Sequence, residues 1–205
     1  MKATDTYQTI NTKSEGFYKE KGSKFIAYAI PCSTENEAKI QINELRKKNP
    51  NACHVCYAWR FGTIINKCQD RFSDDGEPSN SAGKPIFGQI ISFDLTNILI
   101  AVVRYYGGTN LGVGGLINAY KTASKEALSL SKITSHFNTN TFEIIYPYEL
   151  MGAIMNLLKK NNVNQFQQGF EGDSGKITFE IRQTQSHTIS KELDNLYELK
   201  YKQLN

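Results

Sequence analysis

The alternation of apolar and polar positions divides the chain into short strands and amphipathic helices from one end to the other. Residues 16–30 (GFYKEKGSKFIAYAI) predict two strands with KEKGSK as the hairpin turn. Ser33 or Thr34 is positioned to cap a helix carrying Ala38, Ile42 and Leu45 on one face, which Asn49-Pro50 ends. A strand follows over 53–60 (CHVCYAWR), with a second apolar piece at Thr63–Ile65 as a candidate partner. From Asp70 to Pro85 periodicity is lost among Asp, Gly, Pro, Ser and Asn, which predicts one long loop of functional character. Residues 86–93 read as a short helix. Residues 97–105 (NILIAVVRY) form an unbroken, β-branched run, the signature of a strand buried on both faces. A glycine turn over 107–115 then feeds a helix from about 116 to 130.

The texture changes after the polar stretch 131–140 (SKITSHFNTN), which is expected to be a linker. A strand at 141–146 precedes a helix opening at Pro147 with Leu150, Ile154, Leu157 and Leu158 at helical spacing. Two strands, 163–170 and 176–182, flank the turn Gly172-Asp173-Ser174-Gly175, and an amphipathic helix over 188–201 presents Ile189, Leu193, Leu196 and Leu199. The order β-α-β-β-α is most of a split βαβ unit. Two α+β domains are therefore expected, 1–135 and 138–205.

Composition fits this picture: 205 residues, 40% hydrophobic and 21% charged, are those of an ordinary globular chain. No run approaches the ~20 apolar residues of a membrane span, and the polar N-terminus has no signal-peptide core. A cytoplasmic protein with reduced thiols is the expectation. Residues 1–137 carry 17 Lys and Arg against 12 Asp and Glu, and 138–205 carry 7 against 8. The first part thus holds the positive excess, which favours an anionic partner by steering but lacks the density that announces nucleic-acid binding.

Candidate chemistry concentrates in the first domain. Cys53-His54-Val55-Cys56 has zinc-ligand spacing, yet on a strand Cys53 and Cys56 face opposite ways and cannot close on one ion. No metal and no cofactor are expected. His54 shares a face with Cys56, so it is kept as a site-facing residue. Asp74, Asp75 and Glu77 place three carboxylates within four residues, able to bind a divalent cation through oxygen ligands, supply acid–base groups or simply build the turn. Gly107, Gly108, Gly112, Gly114 and Gly115 lie between a buried strand and a helix, where free backbone N–H groups suit a phosphate. Arg104, Lys84 and Lys121 could add positive charge. The glycine spacing matches neither G-x-x-x-x-G-K-[ST] nor G-x-G-x-x-G.

Three motifs in order carry a family resemblance: His54 and Cys56 on the strand, Ser73–Pro78 with Ala82–Pro85 in SDDGEPSNSAGKP, and VVRYYGGTNLGVGGLINAY from Val102 to Tyr120. The chain resembles the IMPACT/YigZ family of small translation-associated proteins, in its two-domain bacterial form. Two positions depart from the family pattern: its Gly-Thr is Asn80-Ser81 here, and a frequent Lys is Asn110. The resemblance implies an N-terminal domain similar to the second domain of the small-subunit ribosomal protein of the S-five type. It implies a C-terminal domain similar to ferredoxin-like domains of elongation factor G. It also implies a binding protein acting on RNA or the ribosome, in translation or its regulation. Eukaryotic relatives act in translational control under starvation, through a partner system not carried over to this chain. The competing expectation is a hydrolase using Asp74, Asp75 and Glu77 with His54.

Overall fold

A computed structural model of the chain describes residues 5–63 and 67–204. The apolar piece expected at Thr63–Ile65 lies largely outside the described residues. Two compact units are present, one spanning 7–136 and the other 137–204 together with Asp5 and Thr6.

The first unit is built on a five-stranded antiparallel sheet. Its strands are β2 (Ser14–Glu20), β3 (Ser23–Pro31), β4 (His54–Phe61), β5 (Gln69–Ser73) and β6 (Ile98–Tyr105), in the order β2-β3-β6-β4-β5. The β2–β3 turn is formed by Lys21 and Gly22, both at positive φ (44° and 85°), as a two-residue hairpin requires. Helix α1 (Glu35–Lys48) covers one face, and α2 (Gly83–Ser92) and α3 (Gly112–Ser129) cover the other. Thr34 caps α1 in a reciprocal capping box with Glu37.

Alternation sorts the strand residues between the two faces. Phe25, Ala27, Ala29, Cys56, Ala58, Ile98, Ile100 and Val102 pack under α2 and α3. Ile30, Val55, Trp59, Leu99, Ala101 and Val103 pack under α1. Burial on both sides is why the β6 sequence is apolar without a break. β2 approaches α3 so closely that a Cβ on Gly16 would lie 2.3 Å from the backbone nitrogen of Ala127. Strand β1 (Thr6–Ile10) pairs with β7 (Ile133–Phe137) in a separate two-stranded sheet.

The second unit contains β8 (Thr139–Tyr146), α4 (Met151–Lys160), β9 (Phe166–Glu171), β10 (Ser174–Arg182), α5 (Ser186–Asp194) and β11 (Lys200–Gln203). The strand order β11-β8-β10-β9, with every pair antiparallel, is that of a ferredoxin-like sheet. Phe142, Ile144, Ile177, Phe179 and Ile181 meet Ile154, Leu158, Ile189 and Leu193 in its core.

Four expectations are corrected. Residues Asp70–Ser73 are not loop but the edge strand β5, paired to β4. The helix expected at 188–201 ends at Asp194, and Lys200–Gln203 is a fourth strand that completes the βαββαβ unit. Leu196 and Leu199 still pack on the core, so their helical spacing was coincidental. The stretch 131–140, expected as a linker, contains β7 and the start of β8. Asp5 belongs with the second unit and not with the range 1–135: Arg182 grips its carboxylate at 2.7 and 3.2 Å, and the Thr184 hydroxyl donates at 2.6 Å. A four-residue strand and a lone buried aspartate carry too little periodicity to be read locally.

Two outcomes follow from these contacts. Gly16→Ala must push α3 off the sheet, and urea denaturation should show a loss of about 1–3 kcal/mol. Arg182, first, and Thr184 hold the Asp5 carboxyl well below the usual carboxylate range. A depressed folded-state pKa stabilises fully above the unfolded value and loses that contribution as pH falls below about 4. Melting temperature against pH should therefore fall less steeply below that point in Asp5→Asn than in the parent chain.

Candidate functional site

The site region lies where the ends of β4 and β6 meet the loop between β5 and α2. His54 and Arg104 are direct cross-strand partners there, which brings the first and third sequence motifs together. Loop residues 74–82 fold back over this end, and each of their carboxylates has a separate structural task.

Asp74 serves as the cap of α2 from a distance. Its Oδ1 accepts from the backbone N–H groups of Ala82 (2.9 Å) and Gly83 (2.8 Å), and its Oδ2 from that of Asn80 (2.8 Å). Ala82, at the cap position itself, has no side-chain acceptor, so Asp74 supplies the negative charge a helix start favours. Asp75 accepts from the Val55 N–H (2.7 Å) and from Nη2 of Arg46 (2.6 Å) in the last turn of α1. Nδ1 of His54 donates to the Asp75 carbonyl at 2.7 Å. Cys56 Sγ donates to the Asp74 carbonyl (3.0 Å) and lies 3.3 Å from the Tyr120 hydroxyl.

Glu77 goes deepest. Its Oε1 accepts from Arg104 Nη1 and from the Tyr120 hydroxyl, both at 2.6 Å, with the Glu77 and Arg104 side chains 3% and 7% exposed. The Arg104 guanidinium is flanked by the rings of Phe25 and Tyr106, 5.5 and 5.6 Å away. Burial pushes the Cys56 thiol and the Tyr120 phenol well above their ordinary ranges, which keeps both neutral. A neutral, hydrogen-bonded thiol is not a nucleophile.

These contacts answer the expectations made for the loop. Asp74 and Asp75 have both carboxylate oxygens engaged by the fold, and Glu77 is buried against Arg104. Arg104, expected beside a bound phosphate, is neutralised by Glu77 instead. Among the described residues no three His, Cys, Asp or Glu side chains are grouped to hold a metal ion. Cys53 lies just before β4 and is exposed, while Cys56 is buried within the strand.

The glycine segment divides in two. Gly107 is there for packing: a Cβ would lie 2.0 Å from the Gly22 carbonyl carbon, and its N–H donates to Ser23 Oγ. Gly108 and Gly112 adopt φ of +84° and +70°, and a Cβ on either, or on Gly114, would meet nothing within 4 Å. Helix α3 starts at Gly112, not near 116, so Gly112, Gly114 and Gly115 form its first turn. That turn has no side-chain cap and no acidic residue, leaving its N–H groups unoccupied by the fold. Lys121 and Lys125 lie further along α3 and line a groove of about 650 Å³ against Pro85, Gly88, Gln89 and Ser92 of α2. Lys84 is exposed at the start of α2. No ion pair engages Lys84, Lys121 or Lys125 among the described residues.

The sequence profile of the Impact N-terminal domain matches residues 21–128, which holds every candidate residue above. The chain belongs to the IMPACT family. It is 34% identical over 153 residues to an IMPACT family member of Haemophilus influenzae, covering 75% of this chain and 74% of that one. It is 41% identical over 108 residues to YigZ of Escherichia coli, covering 53% of each, and 32% identical to YvyE of Bacillus subtilis, covering 76% and 71%. A crystal structure described only as that of a hypothetical protein superposes with a TM-score of 0.71 at 25% identity, over 98% of both chains.

One of the two departures from the family pattern, Asn80-Ser81, has a physical explanation. Asn80 sits at φ +61°, the left-handed region where Asn is the best-tolerated substitute for Gly. Ser81 keeps the hydroxyl, which donates to the Pro78 carbonyl at 2.6 Å. Asn110 remains exposed beside the Tyr106 hydroxyl. Tyr120 was missed as a site residue, although its place at the end of the third motif was the available signal.

Glu77→Ala leaves Arg104 buried and unpaired, and chemical denaturation should show a loss of about 3–5 kcal/mol. The double variant Glu77→Leu/Arg104→Met should recover much of it.

Proposed function

We propose that this chain is a translation-associated binding protein whose first unit holds RNA phosphate at the exposed start of α3. The observation that carries this reading is the uncapped, acid-free first turn of α3, with Gly108, Gly112 and Gly114 open to solvent. Backbone N–H groups at a helix start and the positive end of its dipole favour an anion. Open glycines let a phosphate approach the backbone without meeting a Cβ. Lys121, Lys125 and Lys84 on the neighbouring helix faces add cations that the fold itself does not neutralise. The translation-associated role that the motif resemblance implies favours RNA, and ribosomal RNA in particular, as the source of that phosphate. No helix among the described residues is long and apolar enough to cross a membrane.

Under this reading the acidic loop is a scaffold and does not contact the ligand. Asp74 starts α2, Asp75 ties α1 to β4, and Glu77 holds Arg104 and Tyr120 in place. Glu77 thereby sits inside the fold, and the partly exposed Asp74 and Asp75 are each tied to donors of the fold, which lessens their repulsion of an incoming phosphate.

Binding of single-stranded RNA or ribosomal subunits should weaken linearly as the logarithm of salt concentration rises. Gly114→Glu fills open space and places a carboxylate in the first turn of α3. Its melting temperature should hold or rise, because Glu is the better helix former. Its RNA affinity should fall about tenfold. Lys121→Ala/Lys125→Ala should lower the salt slope by about 1–2. Absence of any salt-dependent RNA shift together with failure to co-sediment with ribosomal subunits would overturn the reading.

A further inference from the structure

Among the described residues the two large sheets have four open edges: β2 and β5 in the first unit, β9 and β11 in the second. Three of them carry charges along their length. β2 has Glu15, Lys19 and Glu20; β5 has Asp70 and Arg71; β11 has Lys200 and Lys202. Charges on an edge strand are the usual defence against pairing with another chain. β9 is the exception. From Phe166 to Phe170 it has no charged residue, no proline and no bulge against β10, and Glu171 is its one charge, at the last position.

This edge is also apolar at the surface. Phe170 is 71% exposed and Phe166 37%, and the Phe170 ring stacks on exposed Tyr148 with centroids 6.5 Å apart. Among the described residues β9 is hydrogen-bonded to a strand on one side only, to β10, so the backbone groups of its other side are available to a second strand.

The sequence of the strand indicates which one. Phe166-Gln167-Gln168-Gly169-Phe170 reads almost the same in both directions. In an antiparallel pair of two copies centred on Gln168, Phe166 of each copy lies opposite Phe170 of the other. Both Gln168 side chains then face each other across the two-fold axis. Register against β10 puts Phe166, Gln168 and Phe170 on one side of the sheet, with core residues Phe179, Ile177 and Gly175 opposite them. The aromatic rings of both copies, with their Tyr148 neighbours, would therefore gather on one face. Cross-strand aromatic pairs are stabilising, and an isologous two-fold contact closes on itself without forming a fibre.

We infer that β9 is a self-association edge, through which two copies of this chain join their C-terminal sheets into one continuous eight-stranded sheet. The inference is independent of RNA binding, which concerns the other unit.

Sedimentation equilibrium of the full chain tests it. The parent chain should pass from monomer to dimer as its concentration rises from micromolar towards millimolar. Gln168→Lys and Gln168→Glu each set like charges face to face on the axis, and each should weaken dimerisation about fivefold. Gln168 is solvent-exposed, so circular dichroism and melting temperature should not change in either variant. An equimolar mixture of the two should restore association, because opposite charges then meet. A parent chain that stays monomeric throughout, or a dimer indifferent to both variants, overturns the inference. So does a mixture that associates no better than either variant alone.

Discussion

The buried ion pair between Glu77 and Arg104 organises the first unit, because it joins three pieces of chain that no local rule brings together. Glu77 comes from the loop after β5, Arg104 from the end of the central strand β6, and Tyr120 from the middle of α3. An isolated buried charge is costly to remove from water, so each of the three groups requires the other two. The same loop residues reach outward from this centre: Asp74 to the start of α2, Asp75 to Arg46 of α1. Helices on both faces of the sheet are thereby referred to one short acidic segment. A loop this tightly specified must keep its residue types, which accounts for its density of Asp, Gly, Glu and Pro in structural terms.

With the acidic loop committed to structure, the glycine segment is left as the open surface. Gly107 is fixed by its contact with the β2–β3 turn, whereas Gly108, Gly112 and Gly114 have no packing reason to be glycine. A helix whose first turn is neither capped nor shielded has donors that the protein itself does not use. Arg104 supports this surface from beneath through Tyr106, whose ring lies against the guanidinium. Its own charge is paired with Glu77.

The second unit solves a different problem. Its helices cover one face of a four-stranded sheet, and its two edges are treated unequally: lysines guard β11, while β9 presents aromatic and amide side chains. The other face is stitched by Glu143, which is held by both Lys176 and Lys202. Those lysines, and Arg182 on Asp5, keep the carboxylates Glu143 and Asp5 charged.

Wherever burial repeats with a regular period, the sequence alone determined the outcome. The α+β class, the hairpin at Lys21-Gly22, the capped α1, the doubly buried β6 and the family all follow from spacing and motif. Regular structure writes itself into the chain because each face selects its own residue type. The tertiary structure alone decided what the polar residues are for. Asp74, Asp75 and Glu77 look like acid–base or ligand groups in the sequence, and Arg104 looks like a phosphate contact. Their partners lie 29 residues away for Arg46–Asp75 and 43 for Tyr120–Glu77, and a carboxylate has the same sequence signature whether it meets solvent or a buried guanidinium. The short strands β5, β7 and β11 escaped for a related reason: each is specified by the strand it pairs with, and pairing across the chain leaves no periodic mark on so few residues.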